Sequence, residues 1–181
     1  MPAQAFKLIR SPELFMITLE PIAPGNALTF KEVRLRALQT DPTAFGSTYA
    51  KESNFPDEEW INRSVRWSSD GFIAYLASEG ENACGLVACY TDEQDPGRAH
   101  VISMWVDPKY RRAGVGTALI DGLKAWASNR GVAQLKLMVT SVNRGAIAFY
   151  ERLGFRMTGK TGPYPNDPAI TEYEMTLALN S

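Results

Sequence analysis

Val106-Asp107-Pro108-Lys109-Tyr110-Arg111-Arg112-Ala113-Gly114-Val115-Gly116-Thr117 is the stretch that decides the fold. Before it, His100 to Val106 reads as a strand, ended by Asp107-Pro108 because proline donates no ladder hydrogen bond. After it, Val115 to Asn129 carries Val115, Leu119, Leu123 and Trp126 at helical spacing, with Gly131 as the stop. A strand turning directly into an amphipathic helix presents the helix's free N–H groups, which carry partial positive charge, at the turn. Gly114 and Gly116 let backbone approach a bulky diphosphate, and Arg111 and Arg112 add charge. On these residues alone, a solvated basic cap explains the turn equally well.

Working outward, strands alternate with helices. Phe15 to Leu19 reads as a strand closed by the Pro21–Pro24 turn, and Asn26 to Gln39 as a helix with Asn26 as N-cap and Leu28, Val33, Leu35 and Leu38 apolar. Asp41-Pro42 stops it. A second helix runs from Pro56 to Trp67, its acidic start (Asp57, Glu58, Glu59) suiting the helix dipole. Phe72 to Ser78 and Cys84 to Thr91 form a hairpin, Gln134 to Thr140 a strand, and Asn143 to Leu153 a helix ending at Gly154. Arg156 to Lys160 and Thr171 to Leu179 close the chain as strands. In the last, Tyr173, Met175, Leu177 and Leu179 alternate with polar residues and face the core. The sum is one mixed α/β domain over residues 1–181, with 1–14 an extension outside the core.

Composition narrows the function classes. The 181 residues are 45% hydrophobic and 22% charged, the balance of a soluble globular domain, with a formal net charge of −1. No global basic field favours nucleic acid or an anionic membrane. Two cysteines, Cys84 and Cys89, and one histidine, His100, lack the spacing of a zinc site, so no metal is expected. With neither a signal-like N-terminus nor a spanning apolar run, the reading is a cytoplasmic protein, monomeric or homodimeric.

A second glycine motif is a decoy. Gly154-Phe155-Arg156-Met157-Thr158-Gly159-Lys160-Thr161 matches the nucleotide P-loop letter for letter. That loop works only between a strand and a following helix, where N–H groups converge on phosphate. Here a helix precedes, and Gly162-Pro163-Tyr164-Pro165 follows, whose prolines block a helix. The reading is a strand leading into a turn.

The segment Val106 to Gly116 resembles motif A of the GNAT superfamily of N-acyltransferases, whose signature is Arg/Gln-x-x-Gly-x-Gly/Ala after a strand. Asn143-Arg-Gly-Ala146-Ile-Ala-Phe-Tyr150-Glu-Arg-Leu153-Gly154-Phe155 resembles its motif B, in the expected order. The resemblance implies a mixed, mostly antiparallel sheet of about seven strands, splayed in the middle and flanked by about four helices. It also implies acetyl-CoA as cosubstrate and transfer of its acetyl group to a primary amine of a small molecule or peptide, by direct attack in a ternary complex. The alternative is a non-catalytic acyl-CoA sensor, which would keep Arg111 to Gly116 but need not keep Tyr150.

Residue by residue, the resemblance assigns pantetheine to the backbone of Met104, Trp105 and Val106. It assigns the pyrophosphate to Arg111, Arg112, Ala113, Gly114, Val115, Gly116 and Thr117. Asn143 and Tyr150 lie seven residues apart, two helical turns, and so project from one face with Ala146 between them. Family precedent makes Asn143 a cofactor contact, while its own chemistry makes it an N-cap; the two roles are compatible. The resemblance makes Tyr150 the acid that protonates the departing thiolate, a task open to a phenol that is protonated at neutral pH. The position eleven before Arg111, a glutamate in several family members, is His100, and an imidazole suits a neutral-pH base. The other common base position holds Met138, which cannot serve. Strict alternation would put His100, Ile102 and Met104 on one strand face.

For the acceptor, the resemblance points to the first two helices, the loop between them and the final strands. That includes Phe45, Tyr49, Phe55, Trp60 and Tyr164. Asp57, Glu58 and Glu59 lie in the same region but are read as satisfying the helix dipole.

Overall fold

β-Branched and aromatic runs alternating with amphipathic stretches build one sheet covered by helices on both faces. The computed structural model describes residues 16–179 and the backbone of Gln4–Lys7. The strands are β1 (Gln4–Lys7), β2 (Met16–Pro21), β3 (Phe72–Glu79), β4 (Asn82–Thr91), β5 (Arg98–Val106), β6 (Gln134–Thr140), β7 (Arg156–Tyr164) and β8 (Asp167–Ala178). The α-helices are α1 (Ala27–Thr40), α2 (Tyr49–Glu52), α3 (Asp57–Trp67), α4 (Val115–Ser128) and α5 (Arg144–Arg152). Sheet order is β1-β2-β3-β4-β5-β6-β8-β7, antiparallel throughout except for β5 beside β6.

The expected mixed, mostly antiparallel sheet is therefore present, with eight strands among the described residues. Most of segment 1–14 lies outside those residues; of it, Gln4–Lys7 pairs with β2 at the sheet edge. The sheet separates two apolar layers. Helices α4 and α5 cover one face with Leu119, Ile120, Leu123 and Tyr150, while α1 and α3 cover the other with Phe30, Val33, Leu38 and Trp60. The alternation read in the last strand holds: Met175 is buried with Tyr173 and Leu177 on the α4/α5 side.

Several local expectations are corrected. Leu28 is exposed; the buried stripe of α1 is Ala27, Phe30, Val33, Arg34, Ala37 and Leu38. Asn26 stands at the N-cap position but does not cap α1, because its Oδ1 accepts from Ala23 N and its Nδ2 donates to Pro21 O. The P-loop look-alike lies within and just before β7, which continues through Pro163 to Tyr164 and pairs with β8; no helix follows. Proline is tolerated there because β7 is the sheet edge and its missing donor faces no partner.

Candidate active site

Two irregularities open the middle of the sheet. The parallel pairing of β5 with β6 covers only Arg98–Gln134, Ala99–Leu135 and His100–Lys136, after which the strands diverge. From Val101 onward, the β6-side edge of β5 has no strand neighbour among the described residues. The second irregularity is a bulge. Leu86 pairs with Trp105 and Ala88 with Ile102, so Val87 alone opposes Ser103 and Met104, and Ser103 takes φ 56°.

That bulge breaks the alternation expected along β5. Ile102 packs with the α1/α3 layer, whereas Met104 packs with the α4/α5 layer. His100 stacks on Tyr90 at 4.9 Å, which stacks on Phe72, so it too belongs to the α1/α3 side. His100 and Met104 thus occupy opposite faces. One extra residue re-aims every side chain beyond it.

The divergence forms a cleft of about 510 Å³ that reaches from one layer to the other. Its lining gathers His100, Met104, Asn143, Ala146 and Tyr150, together with Arg34, Phe45, Glu52, Arg63, Lys136 and Glu172. Asn143 caps α5, its Oδ1 accepting from Ala146 N at 3.1 Å. Tyr150 is buried between Phe149 and Phe155, and burial pushes its phenol up, so the hydroxyl keeps its proton at neutral pH. His100 Nε2 lies 2.9 Å from Asp92 Oδ2. The hydrogen bond from His100, chiefly, holds the Asp92 carboxyl below its usual range. Of the residues expected at the acceptor, Phe45 lines the cleft, but Trp60 is wholly buried in the α1/α3 layer and cannot touch a substrate. Asp57 and Glu59 lie outside the cleft lining; Asp57 pairs with Lys31, and Glu59 with Arg66, which does line it.

The Arg111–Thr117 turn lies outside the cleft lining, at the end of β5. Arg112 (φ 66°) and Gly114 (φ 88°) are both left-handed, and α4 begins at Val115 with no side-chain cap. Its first N–H groups are therefore available to an anion. Val115 itself is buried, so only its backbone can take part. Arg111 folds back: Nε donates to Val106 O at 2.9 Å and Nη2 to Asp41, which also accepts from Trp105 Nε1. The two glycines divide the work. Gly114 supplies the left-handed turn, whereas a Cβ on Gly116 would sit 2.9 Å from Phe149 Cζ and 3.3 Å from Met104 Cε. Gly116 lets α4 pack against α5 and the bulge.

These residues fit a coenzyme A moiety: an open strand edge for the amides of pantetheine, and an uncapped helix start with nearby arginines for its diphosphate. Sequence reasoning missed the cleft's other charged residues. Arg34 carried the clearest signal, a charge on the apolar stripe between Phe30 and Leu38; Glu52, Arg63 and Glu172 had none until folding brought them together.

Comparison with known proteins agrees with this fold. Residues 34–155 match the model of the Acetyltransferase (GNAT) family. An uncharacterized N-acetyltransferase of Methanocaldococcus jannaschii is 28% identical over 160 residues, 84% of this chain and 64% of that protein. The [ribosomal protein bS18]-alanine N-acetyltransferase of Escherichia coli is 47% identical over 57 residues, 32% of this chain and 38% of its own length. The chain thus spans less than two thirds of these curated relatives. The crystal structure of a GNAT-family acetyltransferase from Streptococcus pneumoniae superposes with a TM-score of 0.75 at 23% identity, covering 91% of this chain and 99% of that one.

Proposed function

We propose that this chain, which belongs to the GNAT acetyltransferase family, transfers an acetyl group from acetyl-CoA to a primary amine within one ternary complex. The observation that carries the reading is the open edge of β5 beyond His100, leading to the uncapped start of α4. Backbone groups of Met104 to Val106 hold the pantetheine arm, and the N–H groups from Arg112 to Thr117 hold the diphosphate. The acceptor enters from the α1/α3 side, where His100 lies. As the amine nitrogen bonds to the acetyl carbon and the carbon–sulfur bond breaks, Tyr150 donates its hydroxyl proton to the departing sulfur. The amine's own proton leaves through His100, whose imidazole is oriented by Asp92. What supports Tyr150 is its place on the cleft wall and its burial, which keeps the phenol protonated until a thiolate forms beside it.

The test is thiol release from acetyl-CoA across a panel of primary amines, beside calorimetric binding of CoA. Amine-dependent release is expected. Tight CoA binding with no release for any amine would favour the sensor reading instead.

A further inference from the structure

Ion pairing around the cleft is uneven, and the imbalance describes an acceptor. Four cations (Arg34, Arg63, Arg66, Lys136) and two carboxylates (Glu52, Glu172) line it. Arg66 pairs with Glu59 and Lys136 with Glu174, so these two are answered from outside the lining. Arg34 spends Nε and Nη2 on Glu52 and Nη1 on Ser103. Arg63 is different. It shares the same Glu52 carboxylate through Nη1 alone, at 2.8 Å. A guanidinium has five N–H donors, and among the described residues Glu52 is the only acceptor for those of Arg63. Its side chain is only 15% exposed, with Cζ 5.0 Å from the Trp60 ring centroid and 5.2 Å from that of Phe55. Two largely buried guanidiniums on one carboxylate leave a net positive charge in the wall, which is costly unless an anion answers it.

On the β8 side the sign reverses. Glu172, opposite Thr140 on β6, makes no ion pair among the described residues. Burial pushes its carboxyl up, with no cation to offset it. The other carboxylates around the cleft, Glu52, Glu174 and Asp92, each have a cationic or imidazole partner. After internal pairing, the walls therefore retain one uncompensated cation, at Arg63, and one uncompensated anion, at Glu172.

The geometry points to an acceptor that carries a carboxylate as well as its amine, an amino-acid-class substrate. Its carboxylate lies on Arg63 and its ammonium is drawn to the Glu172 side before deprotonation. A planar guanidinium binds carboxylate through paired N–H groups, which a lysine would not reproduce. This inference rests on the acetyltransferase reading and names its substrate class.

The experiment compares ω-amino acids of increasing length, glycine being the shortest, each beside its own amide and with an amidated tetrapeptide. Thiol release is measured for wild type, Arg63→Lys and Arg63→Met. At least one amino acid should exceed its amide by tenfold or more in kcat/KM, and the best chain length measures the span between the two charges. Arg63→Met should raise KM for that amino acid about tenfold or more, the scale of a charge-assisted hydrogen bond. The acid-over-amide ratio of kcat/KM should fall by a similar factor, with CoA affinity unchanged. Amides or the peptide matching the amino acids in wild type would overturn the inference, as would Arg63→Met affecting acid and amide equally. Should Arg63→Met not fold, the wild-type comparison and Arg63→Lys decide the question. Absence of release with every amine would strike at the acetyltransferase reading itself, a separate outcome.

Discussion

Arg34 Nη1 donates to Ser103 Oγ at 3.2 Å, so the residue that anchors the buried ion cluster also holds the bulge of β5. The same guanidinium grips both oxygens of Glu52, at 3.0 and 2.8 Å. Burial pushes the Glu52 carboxyl up, but the hydrogen bonds and charge of Arg34, together with Arg63, outweigh that and hold it at about 2. Because the folded-state value lies below the unfolded one, the pair's contribution is complete above the ordinary glutamate range. It is lost as pH falls from about 4.5 toward 2. At 1.36 kcal/mol per unit, that contribution is about 3 kcal/mol as an upper bound. Glu52→Gln should cost up to about 3 kcal/mol near neutral pH, the same linkage contribution, since it strands two cations. It should also flatten the acid limb of stability. Urea unfolding of both proteins across this range would show the two curves converging at low pH.

At the turn, Gly114 holds φ 88°. Gly114→Val would force a β-branched residue into the left-handed region and move the first N–H groups of α4. CoA affinity should fall at least about tenfold, the scale of one or two lost charge-assisted hydrogen bonds. Calorimetry on the folded variant would read this directly, and unchanged affinity would remove the Arg111–Thr117 turn from the cofactor site.

Much of this architecture was legible because it is written in short-range chemistry. Val115, Leu119 and Leu123 set the core face of α4, Asp107-Pro108 ended β5, and Asn143 capped α5. Strict alternation failed at Ser103 because a bulge is a relation between two strands, and nothing within Ile102-Ser103-Met104 announces it. The hairpin through Tyr164 reads as a turn in the sequence for a similar reason. Pro163 looks like a terminator until it is placed on an edge, where Tyr164 Oη also donates to Phe45 O at 2.7 Å and ties the hairpin to the loop after α1. The four-residue α2 lacked the length to show periodicity, yet it carries Glu52.

His100 and Asp92 form the second testable pair of the cleft. If the imidazole relays the amine proton, His100→Gln should lower kcat/KM on the order of 10²-fold, the lower range of general acid–base catalysis, with CoA affinity unchanged. Asp92→Asn should lower kcat by a smaller factor, because the imidazole loses the carboxylate that orients it. Turnover close to wild type in His100→Gln would assign the amine proton to water.

Tyr150 carries the most direct prediction, because removing one oxygen separates packing from chemistry. Its ring lies 5.3 Å from Phe149 and 5.4 Å from Phe155, contacts that Tyr150→Phe retains. Thermal stability and CoA affinity should therefore stay close to wild type. If the hydroxyl supplies the proton to the departing sulfur, kcat should fall about 10²-fold with little change in KM, the pattern of an interaction made only in the transition state. Because burial already raises the phenol, deprotonation should not produce a basic limb within the range where the protein is stable. The loss should also depend on the leaving group. An acetyl donor whose thiolate is a weaker base needs less protonation, so it should lose less in Tyr150→Phe than acetyl-CoA does. Single-turnover acetyl transfer with the two donors, in wild type and variant, makes the comparison with chemistry isolated from product release. An equal loss for both donors would mean that the hydroxyl positions the acetyl donor rather than protonating the departing sulfur.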